Sequence, residues 1–593
     1  MLDISTSKVD PAGKPAKAGP EPRLGNRSRR LPAFVHPASF CTAGLLLGTI
    51  FFAFSLSPSL VPRGPSMQGI LSGLSLGAGY GLGAFGRWLW GYLELPTPRE
   101  RAARQVKAVA SSACGLTVAF FLWQAAEWQN SVRLLMGMGP VDTAHPFRVG
   151  LIAIVVFGAL VALGRLFAWT IRRLSARFQK VVPRRVANVL GILTAAALFW
   201  SLIDGVIFSA GIRATDWSYQ QVDAVAEDDL PPPVDPMWPG SPVSLLGWEA
   251  LGRQGRQFIA ATPGTADLQE LLEGEEAMAP RRVYVGLNSA EDPAARASLA
   301  LAELERVGGF DRSILVIITP TGTGWVDPAA IETLESLHRG DVASIAVQYS
   351  YLPSWLALLV EADYGAATAQ ALFEAVYEHW RALPDDDRPE LYLHGLSLGA
   401  LNSDRSFEPF DIVGDPFQGA LWAGPPFRTE TWSSVTQRRD AASPAWLPVF
   451  RDGAVVRFAN QEVGLDVLDG TWRAPRIAFL QHASDPVTFF EPRALYREPE
   501  WMAIPRGPDV SPALRWFPVV TMLQLAADMI AGSEPVGYGH EYAAEDYVEA
   551  WIALTEPDGW DPPAIERLKA AHAARRCAVA TDPVPEECMP PPT

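Results

Sequence analysis

Five long apolar runs crowd into the first 210 residues, at 40–60, 70–90, 106–123, 149–170 and 186–207. Each approaches the roughly 20 residues that a helix needs to cross a bilayer. Backbone amides find no water inside hydrocarbon, so such runs have little choice but to form helices packed side by side. They predict a transmembrane domain of about five helices over 39–210, preceded by a basic arm over 1–38. Hydrophobic residues make up 49% of the 593-residue chain and charged ones only 19%, with the apolar excess confined to this first part. The net charge of -16 comes from the remainder, which argues against a nucleic-acid partner because phosphate binding needs a basic surface.

Loop charges set the expected orientation. Lys8, Lys14, Lys17, Arg23, Arg27, Arg29 and Arg30 precede the first run, and Arg99, Arg101, Arg104 and Lys107 separate the second from the third. Arg172, Arg173, Arg177, Lys180, Arg184 and Arg185 separate the fourth from the fifth. The positive-inside bias puts these segments in the cytoplasm. An odd number of spans then carries everything after 207 to the outer, periplasmic or extracellular, face of a cytoplasmic (inner) membrane. A cleavable signal peptide is the competing reading of the first run, but that run exceeds the roughly 7 to 15 residues of an h-region and four more follow. Arg87, Arg165 and Asp204 sit toward span ends, where snorkelling accounts for the two arginines more simply than a polar path does. Cys41 and Cys114 fall in the spans as apolar fillers. Cys577 and Cys588 lie in a C-terminal tail over 561–593, where a disulfide and two free thiols are both open readings.

An acidic connector rich in proline follows over 211–245, with Glu227-Asp228-Asp229-Leu230-Pro231-Pro232-Pro233 favouring extended polyproline II. From 246 to 560 the pattern changes. Strand-like runs at 282–286, 313–318, 343–349, 391–394, 419–423 and 476–480 alternate with helical stretches at 294–307, 329–338 and 367–383. That alternation predicts an α/β domain with a mostly parallel sheet covered by helices on both faces. The segment 516–523 is apolar but too short to span, and reads as a core helix in preference to a surface element touching lipid.

The hexapeptide Gly-Leu-Ser-Leu-Gly-Ala occurs twice, at 73–78 and 395–400. A G-x-S-x-G sequence presents a nucleophile when a strand runs into it and a helix leaves it. The second copy follows the strand-like Leu391-Tyr392-Leu393-His394; the first lies in a glycine-dense apolar run, where small residues let helices approach closely. Ser75 is therefore read as packing and Ser397 as a nucleophile. A serine needs an imidazole to take its proton and a carboxylate to fix the imidazole's tautomer.

On a sheet of this type the partners follow as Ser, acid, His. Of the eight histidines, His36, His145, His338, His379 and His394 precede Ser397. His572 sits in what reads as a solvated helix, and His482 precedes the best acid. His540, in Pro535-Val536-Gly537-Tyr538-Gly539-His540-Glu541-Tyr542, is left as the base. Asp485, just beyond the 476–480 run, is the preferred acid, with Asp404, Asp411 and Asp415 as rivals. For the oxyanion, the N–H of Leu398 is one expected donor, and Thr323 or Gly324 in Pro320-Thr321-Gly322-Thr323-Gly324-Trp325 the other. An ordinary tight turn explains those glycines equally well. The chain contains no H-E-x-x-H, no paired C-x-x-C and no G-x-x-x-x-G-K-[ST], so no metal or nucleotide cofactor is indicated.

The motifs Ser55-Leu56-Ser57-Pro58-Ser59-Leu60-Val61-Pro62-Arg63, Leu251-Gly252-Arg253-Gln254-Gly255-Arg256-Gln257-Phe258 and Ala420-Leu421-Trp422-Ala423-Gly424-Pro425-Pro426 join the elbow and the His540 loop. In these the chain resembles a bacterial α/β-hydrolase family, alpha/beta-hydrolase family 9, in which a multi-span N-terminal domain precedes a lipase-like catalytic domain. The resemblance implies an α/β-hydrolase fold and a lipase or esterase activity, and adds little about substrate, since fold does not dictate function. The expectation is a membrane-anchored serine hydrolase acting on acyl esters, lipid-like in kind. Acyl transfer by the same residues is one alternative. A transporter or scaffold with a hydrolase-like binding domain is another, against which the triad pattern and the lack of an inverted repeat both weigh.

Overall fold

The structure, a computed structural model, describes residues 40–96, 100–203, 205, 223, 230–354, 356–357, 362–468, 470–532 and 534–579. The basic arm, most of the acidic connector, Asp204 and Cys588 lie outside the described residues. Five N-terminal helices correspond to the five apolar runs: α1 (Thr42–Ser55), α2 (Pro65–Tyr92), α3 (Glu100–Arg133), α4 (Pro146–Phe178) and α5 (Arg184–Leu202). Among the described residues, three segments are both long and apolar enough to cross a membrane, Gln105–Met136, Pro146–Phe178 and Arg184–Leu202. This corrects the expectation of five clear spans. Helix α1 has 14 residues, about 21 Å, against a hydrocarbon thickness of about 30 Å. Helix α2 is long enough, but its many glycines, with Ser66, Gln68, Ser72 and Ser75, dilute its hydrophobicity. These three candidate spans turn large apolar side chains outward: Leu116 is 73% exposed, Trp123 77% and Trp200 72%.

Glycine spacing explains how α1 and α2 pack. Gly44 and Gly48 of α1 meet Gly79 and Gly83 of α2 almost backbone to backbone; a Cβ on Gly48 would stand 2.7 Å from the Leu76 carbonyl oxygen, and one on Gly79 2.6 Å from that of Leu47. On its other side α2 presents Gly69, Gly73 and Gly77 to α4, where a Cβ on Gly73 would stand 2.6 Å from Val156 Cβ. The first hexapeptide is thus the middle of a packed helix, with Ser75 fully buried in it.

The second part is a seven-stranded sheet in which every pair is parallel. Its strands are β1 (Arg281–Val285), β2 (Ile314–Thr319), β3 (Val342–Val347), β4 (Glu390–Leu396), β5 (Gly419–Ala423), β6 (Val456–Ala459) and β7 (Arg476–Leu480), in the order β1-β3-β2-β4-β5-β7-β6. The central strands are buried along their whole length, which is why they read as continuous apolar runs and not as alternation. Helices α8 (Pro293–Arg306) and α9 (Pro328–Leu337) follow α6 (Gly252–Ala260) and α7 (Thr265–Leu271). Both α8 and α9 begin with an Asp-Pro pair: Asp292 accepts from Ala295 N–H and Asp327 from Ala329 N–H, while the proline supplies a pre-set first turn. Helix α10 (Ala362–Ala382) packs on α8, and α14 (Ala544–Thr555) on α9, where Trp551 Nε1 donates to the Ala330 carbonyl at 2.8 Å.

Helix α12 (Glu430–Gln437) follows β5, and helix α13 (Val520–Ala531) fastens the two parts together. The turn between α1 and α2 inserts Leu60 and Val61 into the same core as the sheet. Arg63 Nε lies 2.5 Å from Asp528 Oδ1 with both side chains buried, Ser59 donates to the same carboxylate, and Leu60 N–H reaches its Oδ2 at 3.2 Å. Gln524 donates to the Ser57 carbonyl at 3.2 Å, and Phe54 stacks on Phe517 with ring centroids 3.9 Å apart. Segment 516–523, expected to be a core helix, is instead the entry to this junction. At the C-terminus, Cys577 on α15 (Pro562–Val579) is disulfide-bonded, whereas Cys41 and Cys114 are free thiols.

Candidate active site

Strand β4 ends at Leu396, and α11 (Leu398–Asp404) begins two residues later. Ser397 stands between them at φ 55° and ψ -125°. For a residue with a side chain such backbone costs about 1–3 kcal/mol and persists only where its surroundings hold it. Here Ser397 N–H donates to the Ala423 carbonyl on β5 at 2.9 Å, and its own carbonyl accepts Ala400 N–H at 2.9 Å. The flanking glycines are a steric requirement of the turn. A Cβ on Gly395 would strike the backbone of Gly399, and one on Gly399 would meet the carbonyls of Thr319 and Pro320 on the neighbouring strand end.

Asp485 and His540 come to the same place. Asp485 lies five residues beyond the end of β7 and is fully buried; its Oδ1 accepts the N–H groups of Val487 at 2.8 Å and Thr488 at 3.2 Å. Its Oδ2 accepts from the Thr488 hydroxyl at 3.0 Å, the Tyr542 hydroxyl at 2.8 Å and His540 Nδ1 at 2.9 Å. Burial alone would raise the Asp485 carboxyl, but the imidazole and these donors outweigh it and hold the group below its ordinary value. Burial likewise opposes a charge on His540, and the Asp485 carboxylate more than offsets it, so the imidazole stands above its ordinary 6.5. The Asp485 contact occupies Nδ1, and Nε2 has no hydrogen-bond partner among the described residues.

The loop carrying His540 is shaped by Gly537 at φ 87° and Gly539 at φ 60°, and Gly539 N–H donates to Ser484 Oγ at 2.9 Å. His482 supports it from beneath: its Nδ1 meets the Gly539 carbonyl at 3.0 Å and its ring stacks on Tyr542 at 4.4 Å. The rival acids are elsewhere. Asp404 accepts Thr431 N–H at 3.0 Å, Asp415 pairs with Arg388 at 3.4 Å, and neither these nor Asp411 borders the cavity in front of Ser397. His572, expected on a solvated helix, is buried, and burial, with a smaller contribution from Arg575, lowers its imidazole to about 4.

Ser397 and His540 line one cavity with Leu396, Leu398, Pro426, Val487 and Tyr542. Thr321, Trp325 and Asp327 border it from the loop after β2, with Ser354 beside them and Met529 entering from α13. Leu398, the first oxyanion donor expected, is among these residues; Thr323 and Gly324 are not. Gly324 N–H is already engaged with the Thr321 carbonyl at 2.9 Å, closing a tight turn at φ 87°, and the Thr323 carbonyl accepts Gln348 Nε2 at 3.3 Å. Of the two residues expected to supply the second donor, Gly324 therefore has its N–H occupied. The glycine-rich loop brings Thr321 and Trp325 to the cavity and closes its own turn between them.

Several residues here were not singled out from sequence. Gly424 carries φ 51°, and a Cβ on it would stand 2.6 Å from His540 Cε1 and 2.9 Å from Nδ1, so the imidazole rests on bare backbone. A glycine directly after a strand was the available signal. Asp327 caps α9, accepts the Tyr547 hydroxyl at 2.9 Å, and is pushed by burial up to about 7. Glu541 borders the cavity and Glu534 sits behind His540; burial raises both, Glu534 to about 7. An Asp-Pro pair reads from sequence as a helix cap, which Asp327 also is, so its second role had no separate signal.

A family model described as "Alpha/beta-hydrolase family" matches residues 281–568, and one described as "Alpha/beta-hydrolase family N-terminus" matches residues 56–263. No curated protein and no solved structure matches the chain.

Proposed function

The chain belongs to the alpha/beta-hydrolase family, and we propose that it is a membrane-anchored serine hydrolase that cleaves acyl esters of lipid-like substrates. One observation carries the reading: Ser397 sits at a strained strand-to-helix turn, in a cavity shared with an imidazole whose Nδ1 is tied at 2.9 Å to buried Asp485 and whose Nε2 is unpartnered among the described residues. In this reading His540 Nε2 takes the proton of Ser397 Oγ as the oxygen attacks the acyl carbonyl, and Asp485 steadies the resulting imidazolium. The oxyanion is met by Leu398 N–H and the Thr321 hydroxyl. Collapse expels the alcohol, which receives the proton from Nε2, and water activated by the same nitrogen releases the acid from the acyl-serine.

Topology supports a membrane setting with the catalytic domain on the outer face. The hydrolase part meets the α1–α2 turn and, through Ser131 and Ser511 at 3.0 Å, the last turns of α3. The basic segments that bias toward the cytoplasm are at the opposite ends of α2 and α4. The test compares membranes containing the parent or the Ser397→Ala protein. The parent takes up a fluorophosphonate probe and hydrolyses short and long acyl esters, and the variant does neither. A Ser397→Ala protein that still labels or still hydrolyses those esters refutes the assignment.

A further inference from the structure

Helix α13 is amphipathic in an unusual sense, because its polar side is the buried one. Thr521, Gln524 and Asp528 are buried, with Gln524 and Asp528 directed into the junction with the α1–α2 turn. At about 100° per residue, Met522, Leu523, Ala526, Met529 and Ile530 fall on the opposite side, and all are half-buried or exposed, Ile530 at 49%. Five neighbouring apolar side chains on a helix edge incur a cost in water. We propose that this edge is the track along which the acyl chain of a membrane lipid reaches Ser397. The proposal rests on the serine-hydrolase reading and adds to it a substrate class, an ester whose acyl chain is long enough to lie along the helix.

Three observations select lipid as the occupant. The track begins at the membrane part: Phe517, just before α13, stacks on Phe54 of α1 at 3.9 Å, and α13 packs on both α1 and α2. It ends at the reacting atoms, because Met529 lines the cavity that holds Ser397 and His540. Between these ends it is free of charge, while the ion pair of Arg63 with Asp528 fixes the helix from behind and keeps its apolar edge turned outward. From Met522 to Ile530 the rise is about 12 Å, enough to engage most of a dodecanoyl chain but beyond the reach of a butyryl group attached at Ser397.

The experiment uses the full-length protein in phospholipid nanodiscs and a fluorophosphonate with a dodecyl chain ending in a diazirine. After the probe has bonded to Ser397, irradiation is expected to place most cross-links on the peptide that contains Val520–Ala531. Cross-links concentrated elsewhere overturn the track and leave the hydrolase reading intact. Absence of labelling at Ser397, by this probe and by an ethyl fluorophosphonate alike, overturns both. As a second measurement, Leu523→Asn with Ile530→Asn is expected to lower the ratio of dodecyl to ethyl labelling rates at least tenfold. An unchanged ratio, or an equal loss with both probes, overturns the proposal.

Discussion

Placing a methyl group on Gly424 tests the site at its tightest point without altering any of the three residues assigned to the chemistry. A Cβ there would lie 2.6 Å from His540 Cε1, 2.9 Å from Nδ1 and 3.0 Å from Tyr542 Cε2. Carbon atoms in contact prefer about 3.5–4.0 Å, so the imidazole must retreat by about 1 Å. A misplacement of that size costs a reaction on the order of 100-fold in rate. The backbone adds strain, since φ is 51° at this residue and a side chain in left-handed conformation costs about 1–2 kcal/mol. Gly424→Ala is therefore expected to remain folded, somewhat less stable than the parent, with kcat for a short ester about 100-fold lower. Gly414→Ala is the matched control, because its Cβ would meet nothing within 4 Å. The assay is steady-state hydrolysis by purified full-length protein beside a thermal unfolding curve. A folded Gly424→Ala protein working within threefold of the parent would refute the placement of His540 as the base.

Asp485→Asn is expected to lower kcat by about 10⁴, in line with loss of the carboxylate from a triad. In the parent, Asp485 outweighs burial and raises His540 above 6.5, so activity is lost as pH falls through a value above 6.5. In the variant the acid limb of residual activity moves to lower pH, and an unmoved limb in a pH–rate profile counts against the pairing. Arg63→Met leaves Asp528 buried without its counter-charge, a loss of about 3–5 kcal/mol; denaturant midpoints should show it, and Arg63→Met with Asp528→Leu should restore most of it. Asp327 is raised by burial from its ordinary 3.8 to about 7. Folding then holds a proton that the unfolded chain releases, and stability falls as pH rises through that window, by up to about 4 kcal/mol. Asp327→Asn should flatten this part of the stability–pH curve, and identical pH dependence in parent and variant speaks against a buried neutral acid.

The sheet was legible wherever burial made a strand uniformly apolar. Six of its seven strands coincide with runs seen in the sequence; β6 escaped because Val456–Ala459 is four residues long and contains Arg457, which reaches the carbonyls of Gly453 and Leu465. Chain order and elimination pair Asp485 with His540, which the structure joins at 2.9 Å, because few candidates are left when histidines are scarce. Glycine density over 320–325 reports tight backbone and not which N–H is free: that of Gly324 is taken by the Thr321 carbonyl. The span count meets a related limit: among the described residues three helices are long and apolar enough to cross a membrane, whereas α1 is shorter and buries Phe51, Phe52 and Ala53 against its neighbours. Contacts distant in sequence, such as Arg63 with Asp528, leave no local pattern at all.

The two copies of Gly-Leu-Ser-Leu-Gly-Ala use the same property of glycine for opposite ends. In α2, Gly73 and Gly77 let the α4 side chains Val156 and Leu160 settle against the backbone, and Ser75 is buried in a regular helix. At Gly395 and Gly399 the missing side chains let a helix fold back on the strand that precedes it, which drives Ser397 to φ 55°. The difference lies in what precedes each copy. Helix α2 is already hydrogen-bonded when it reaches Gly73, so its glycines change only the distance to a neighbour. Strand β4 is locked in register with β2 and β5, where Gly395 pairs with Thr319 and Trp422. The chain must therefore turn within one residue to begin α11, and the strain of that turn falls on the serine. A strained elbow of this kind is thus a property of the sheet that feeds it, and the same six residues within α2 form none.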